Sequence, residues 1–90
     1  MSTENEGTSI GNKPELWTAL LHELDDKLQL ALLARLERVS SYHMESTTLF
    51  ITPGNEEDRE YLTSNDTLQQ LKLIAEDTMG ATSVTIQPVD

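Results

Sequence analysis

Histidine, serine and a run of acids at 56–60 are the residue types in this chain that could do chemistry. His22 and His43 are the only histidines. A protein metal site needs three or four ligands converging on one point. Here one histidine falls in a helical pattern and the other in a strand pattern, with no third ligand clustered near either. Ser40, Ser41 and His43 raise the question of a nucleophile and its base, but the chain has no Gly-x-Ser-x-Gly elbow. Strand alternation would also set Ser41 and His43 on the side away from Tyr42. The four glycines, Gly7, Gly11, Gly54 and Gly80, lie too far apart to form a phosphate-cradling loop. No catalytic residue, cofactor site or metal site is expected, and the chain does not read as an enzyme.

The run Glu56-Glu57-Asp58-Arg59-Glu60 lacks the ligand spacing and central glycine of a calcium-binding loop. Acids gathered at the start of a helix suit the positive end of its dipole, and that is the expected role. Their exposed start, Glu56 and Glu57, is also a candidate protein-binding surface. So is Trp17: it falls in an apolar stripe, as a core residue would, yet tryptophan is enriched at binding hot spots. The core reading is the first one; in the binding reading one edge of its ring stays exposed near the start of the first helix. Arg35 and Arg38 share a helix face and read as solvated, with contact to an acidic partner or a phosphate as the alternative.

Charge narrows the partners. The chain has 90 residues, with 16 acids against 6 bases and a net charge of −10. Nucleic-acid binding depends on Lys and Arg neutralising phosphates, so direct nucleic-acid binding is not expected. An acidic domain fits a basic protein surface better. There is no cysteine, hence no disulfide or thiolate site, which agrees with a reducing, cytoplasmic setting. No apolar run approaches the roughly 20 residues that span a bilayer, and the first residues lack the basic and apolar regions of a secretory signal.

These residues need elements to hold them. Residues 1–13 are polar and read as a disordered tail or linker, and residues 14–90 as a single α+β interaction domain. Pro14 suits a first helical turn. Leu16, Trp17, Leu20, Leu21 and Leu24 make one stripe of a helix over 14–24. Asp25-Asp26 should end it and cap a second helix over 27–39, whose face is Leu28, Leu32, Leu36 and Val39, widened by Leu30 and Leu33. A helix apolar on so much of its surface is central in a core or touches a partner. Tyr42 and Met44 alternate with polar neighbours, as do Leu49 and Ile51, giving two short strands around a turn at 45–47. Asn55 caps a short helix with Tyr61 and Leu62 as its apolar contacts. Asp66 or Asn65 starts the last helix, with Gln69 placed for a capping box and Leu68, Leu71, Ile74 and Ala75 as the buried stripe. Gly80 closes it in a left-handed cap. Val84 and Ile86 mark a half-buried strand over 83–89.

The order α-α-β-β-α-α-β, with these residues in it, resembles the C-terminal domain of the bacterial DNA polymerase III gamma/tau subunit. The likeness rests on Leu16-Trp17 followed by Leu20-Leu21, and on the Leu32-Leu33/Leu36 helix. It continues through Thr48-Leu49-Phe50-Ile51, Tyr61-Leu62, Asn65-Asp66-Thr67-Leu68, Leu71, Gly80 and Val84-Thr85-Ile86. It covers about residues 14–89. The N-terminal domain of the replication initiator DnaA is also similar. The resemblance implies a KH-like layered fold, with a small three-stranded sheet packed against helices. It implies a non-catalytic module of the clamp-loader subunit that tethers replisome partners, most of all the replicative polymerase catalytic subunit. The initiator-type alternative implies self-association and helicase contact. The chain departs from the family in its Glu45-Ser46-Thr47 turn, where Gly or Asn is usual, and in its acidity. The Gly-x-x-Gly loop of nucleic-acid-binding KH domains is missing.

Overall fold

Strand alternation decides which way the sheet faces. In the computed structural model, which describes residues 11–89, β1 (Ser41–Glu45) buries Tyr42 and Met44 while β2 (Thr48–Thr52) buries Leu49 and Ile51. The two strands form an antiparallel hairpin with Tyr42 opposite Ile51 and Met44 opposite Leu49. Its loop is Ser46-Thr47, and Ser46 carries φ 57° where glycine would be easier. The last strand, β3 (Ser83–Ile86), pairs parallel with β2, giving the three-stranded order β1-β2-β3. Val84 and Ile86 are half-buried, as the alternation implies. On the other face His43, Glu45, Ser83 and Thr85 are exposed, and the His43 ring stacks on Phe50 with centroids 4.7 Å apart.

Four helices complete the expected α+β layout: α1 (Pro14–Asp26), α2 (Leu30–Glu37), α3 (Glu56–Thr63) and α4 (Asn65–Met79). The chain order is α-α-β-β-α-α-β. A parallel return needs a crossover, which α3 and α4 supply between β2 and β3. α1 packs against α4 and α2, and α3 and α4 lie against β3. Trp17, Leu20, Leu24, Leu36, Leu49, Ile51, Leu62 and Leu71 are the large apolar side chains with almost no exposure. The Trp17 and Tyr42 rings stack 4.1 Å apart at 8°, which joins α1 to the edge strand β1. Burial pushes the Tyr42 phenol pKa up, partly opposed by its hydrogen bond with the Lys13 backbone.

Several local expectations change. α1 continues through Asp25-Asp26, and α2 starts only at Leu30 with Gln29 before it and no side-chain cap. Helix 4 begins after Ser64, whose backbone is extended. Ser64 Oγ lies 2.9 Å from both Tyr61 O and Thr67 Oγ1, so Asp66 is a first-turn residue and caps nothing. Asn55 does cap α3, accepting from the Asp58 N–H at 2.8 Å. Gly80 closes α4 at φ 72°. Most of the expected 1–13 tail lies outside the described residues. Within the part described, Asn12 bonds both backbone groups of Met44, donating to its O at 2.9 Å and accepting from its N–H at 2.8 Å. A side-chain amide thus occupies part of the open edge of β1, one way of blunting an exposed strand.

Trp17 is 1% exposed and its indole Nε1 has no partner. Its contribution is therefore packing. Replacing Trp17 with Ala should cost about 3–5 kcal/mol, most of the stability of a domain this small. Urea unfolding followed by circular dichroism checks this, and a cost under about 1 kcal/mol would contradict the buried role.

Candidate functional site

A buried carboxylate forms the strongest polar cluster. Asp58 sits in the first turn of α3 and is 1% exposed. Arg38 grips it with both arms, Nε to Oδ2 at 3.0 Å and Nη2 to Oδ1 at 2.8 Å. The Arg35 Nε lies 3.4 Å from Oδ1, close enough for charge attraction but without a hydrogen bond. Asn55 Nδ2 adds a fourth neighbour at 3.3 Å. Arg35 also lies over the Tyr61 ring, 4.4 Å from its centroid, in cation–π geometry. The Arg38 hydrogen bonds, more than any other influence, hold the Asp58 carboxyl below its ordinary pKa. The charges of Arg38 and Arg35 act the same way, and burial opposes them. Arg38 is correspondingly raised by its bonds to Asp58. Gly54 serves this joint too: a Cβ there would collide with the Arg38 carbonyl.

This arrangement corrects one expectation and extends another. Arg35 and Arg38 are not a free basic face, because their charge is directed at Asp58. Asp58 does lie in the first turn of α3, as expected, but its carboxylate is also buried against the arginines. The cluster can brace α2 against α3. The residues proposed for binding are not brought together: Trp17 is in the core, with no ring edge exposed, while Glu56 and Glu57 lie on the surface of α3. Glu56 is occupied by Arg59 at 3.0 Å. His22 and His43 are both exposed, and no three His, Asp or Glu side chains among the described residues could hold a metal ion. No helix among the described residues is long and apolar enough to cross a membrane.

A different surface stands out at the end of α1. The Leu28 N–H donates to Asp25 O at 3.1 Å and the Gln29 N–H to Leu24 O at 2.8 Å. This is the paired bonding of a Schellman cap, which needs a left-handed residue at its centre, usually Gly or Asn. Here that residue is Leu28, at φ 59° and 77% exposed. The left-handed conformation costs an L-residue roughly 1–2 kcal/mol, and a side chain this exposed returns little by burial. Leu30 and Leu73 are the other large apolar residues exposed among those described, at 54% and 63%. Leu73 borders a groove of about 350 Å³, lined also by Lys27, Gln70, Ile74 and Asp77. Gln29, Leu32, Tyr61 and Gln70 line a smaller groove next to it. Leu28 therefore lies between two residues, Lys27 and Gln29, that each border a depression against α4. Lys27 pairs with Glu23 at 3.1 Å and also feels Asp77 and Asp26, which together hold its pKa above the ordinary lysine value.

Sequence reasoning missed this surface. Its trace was an excess of leucines around helix 2, together with Leu73, which falls off the buried stripe of helix 4. Compared with known protein families, curated proteins and solved structures, the chain matches none.

Two stability measurements test these geometries. Replacing Asp58 with Asn should cost about 1–3 kcal/mol, less than breaking a fully buried pair because half-exposed Arg38 is screened by water. The folded pKa of Asp58 is lowered, so its contribution is present above the ordinary carboxylate value of 3.8 and is lost as pH falls through the lower folded value. The gap between wild type and D58N should hold from neutral pH to near that value and close below it. A gap independent of pH would contradict the ion pairing. By contrast, Leu28→Gly should stabilise the domain by about 0.5–1 kcal/mol, relief of the left-handed strain exceeding the extra freedom of unfolded glycine. A lower urea midpoint for this variant would show that Leu28 serves the fold.

Proposed function

We propose that this chain is a non-catalytic protein-interaction module of the DNA polymerase III gamma/tau type, acting in the cytoplasm during DNA replication as a tether for replisome partners. The observation that carries the reading is the layout. Residues quoted for the resemblance take packing and capping positions in this fold: Trp17 and Leu20 on the buried face of the first helix, and Leu49 and Ile51 on the buried face of the central strand. Leu71 lies in the buried stripe of the last helix, and Gly80 closes that helix at its left-handed cap.

Charge supports a protein partner over a nucleic acid. The net charge is −10, and the two arginines that share a helix face already neutralise Asp58. Any polybasic groove for phosphates would have to be assembled from the other cations, and Lys27 and Arg59 are each engaged by a glutamate. A tether also needs little chemistry of its own. It works by raising the local concentration of what it holds, which a small folded unit at the end of a chain can do.

The test is direct binding. The purified domain is titrated against the purified replicative polymerase catalytic subunit of the source cell by calorimetry, with helicase and initiator proteins as parallel titrants. Saturable binding to the polymerase subunit is the expected outcome, at roughly micromolar affinity or tighter. Binding to helicase or initiator alone would replace this reading with the initiator type, and no binding to any of them would remove the replication assignment.

A further inference from the structure

We propose that the surface where the α1–α2 turn meets α4, with Leu28, Leu30 and Leu73 as its apolar residues, docks an amphipathic helix with a basic polar face. The proposal rests on the reading of this chain as an interaction module, but not on the replisome assignment.

Leu28 is the first observation. The Schellman cap places it in a left-handed conformation that favours glycine, and its side chain projects into solvent. A strained residue whose side chain does nothing for the fold points to function. Leu73 lines the groove, and Leu30 adds exposed apolar area in the first turn of α2, two residues beyond Leu28. Single exposed leucines are ordinary. Here Leu28 directly follows Lys27, which lines the groove together with Leu73 and Ile74, and an exposed apolar set at a groove can receive the apolar face of a helix, read as anchors at i, i+3 or i+4, and i+7.

Charge identifies the occupant. The groove is bordered by Lys27, the residue that follows α1, and by Asp77 in the last turn of α4. Helix C-termini carry partial negative charge and favour cations. Neither helix has a basic residue in its last turn. Instead α1 ends in Asp25-Asp26 and α4 approaches its end with Glu76-Asp77. Lys27, the cation at the groove, is engaged by Glu23. Lys27 lies within the influence of Glu23, Asp77 and Asp26, so three acids against one base leave this end of the groove negative. Lysines or arginines on the polar face of a docked helix would meet that charge. A second copy of this chain would bring a net charge of −10 against it, and the chain's own segment 1–10 has two acids and no base.

The probe is a designed helix of about 18 residues, roughly five turns, with leucines at i, i+3, i+4 and i+7 and lysines elsewhere. A control peptide has glutamate for lysine, and a second has the leucines scrambled. Binding to the whole chain is followed by amide chemical shifts and calorimetry, with Leu28→Gly and Leu73→Gln as variants of the surface. The expected result is binding of the basic peptide alone, weakened by salt, with shifts centred on Leu28, Leu30 and Leu73. Each variant should stay folded and bind roughly tenfold or more weakly. Three results would overturn the proposal: no binding, shifts centred on another face such as the open side of the sheet, or unchanged affinity in both variants. The replication assignment fails separately. Peptide binding here without capture of the polymerase subunit leaves this surface standing and removes that assignment, whereas a polymerase subunit that binds both variants as tightly as wild type does the reverse.

Discussion

β2 and β3 run parallel, so the chain must leave the end of β2 and return to its start before it can pair again. A hairpin cannot do this; a crossover can. Residues 53–82 therefore have to fold back along the sheet, and α3 and α4 do so on its apolar face. The fifteen residues of α4 rise about 22 Å at 1.5 Å each, enough to travel back past a five-residue strand and leave room for the Gly80 turn. Once α4 covers the sheet, α1 has one apolar surface left to join, and it packs there while reaching β1 through the Trp17–Tyr42 stack. Thr47 completes the return: its carbonyl accepts from the Thr82 N–H at 2.8 Å, tying the hairpin loop to the start of β3.

The crossover begins at a tight joint, and the polar cluster sits there. Pro53 is buried, Gly54 passes the Arg38 carbonyl where no side chain fits, and Asn55 turns the chain into α3. Arg38 and Asp58 then hold the end of α2 to the start of α3. An apolar pair at this point would carry less directional information. Two parallel bonds between a guanidinium and a carboxylate fix both distance and orientation, which matters where a helix must be aimed back along a sheet. The carboxylate also lies in the first turn of α3, so its charge suits that helix end as well as the arginines.

Much of this was readable from the residues. Alternation at Tyr42/Met44 and Leu49/Ile51 carried the hairpin, Asn55 and Gly80 carried a helix start and a helix end, and Pro14 carried the first turn. These signals are local, each set by a backbone preference that one or two residues express. The failures share the opposite property. The burial of Asp58 depends on Arg38, twenty residues away in the chain, and from the sequence the acid run looked like any helix start. Asp25-Asp26 was expected to cap helix 2 at once, because no glycine or asparagine announces a cap at Leu28, but the chain first turns through Leu28 and α2 starts after Gln29. The tertiary fold imposed that cap on a residue poorly suited to it. Trp17 was legible as part of a stripe. Whether its ring edge would stay open was not, since that depends on Tyr42 closing over it.

Ser46, left-handed in the hairpin loop, and the unpartnered Trp17 Nε1 are single misfits, whereas several lie together near the end of α1. Across the core and the crossover, residue type and backbone agree: glycine where φ is positive at 80, asparagine at a cap, apolar residues facing inward. Around the end of α1 they disagree in three independent ways. A leucine occupies a left-handed position, leucines at 28, 30 and 73 face water, and acids stand where helix ends favour bases. Each disagreement costs stability, and a domain of this size has only a few kcal/mol to spare. The fold's own requirements would remove all three, since glycine at 28, polar residues at 30 and 73 and a lysine at 26 are each compatible with the observed backbone. Locally inconsistent positions are expected where a surface serves something outside the fold. Their closeness to the groove lined by Lys27, Leu73 and Asp77 is why we propose the functional surface there and not at the tryptophan or the acidic start of α3.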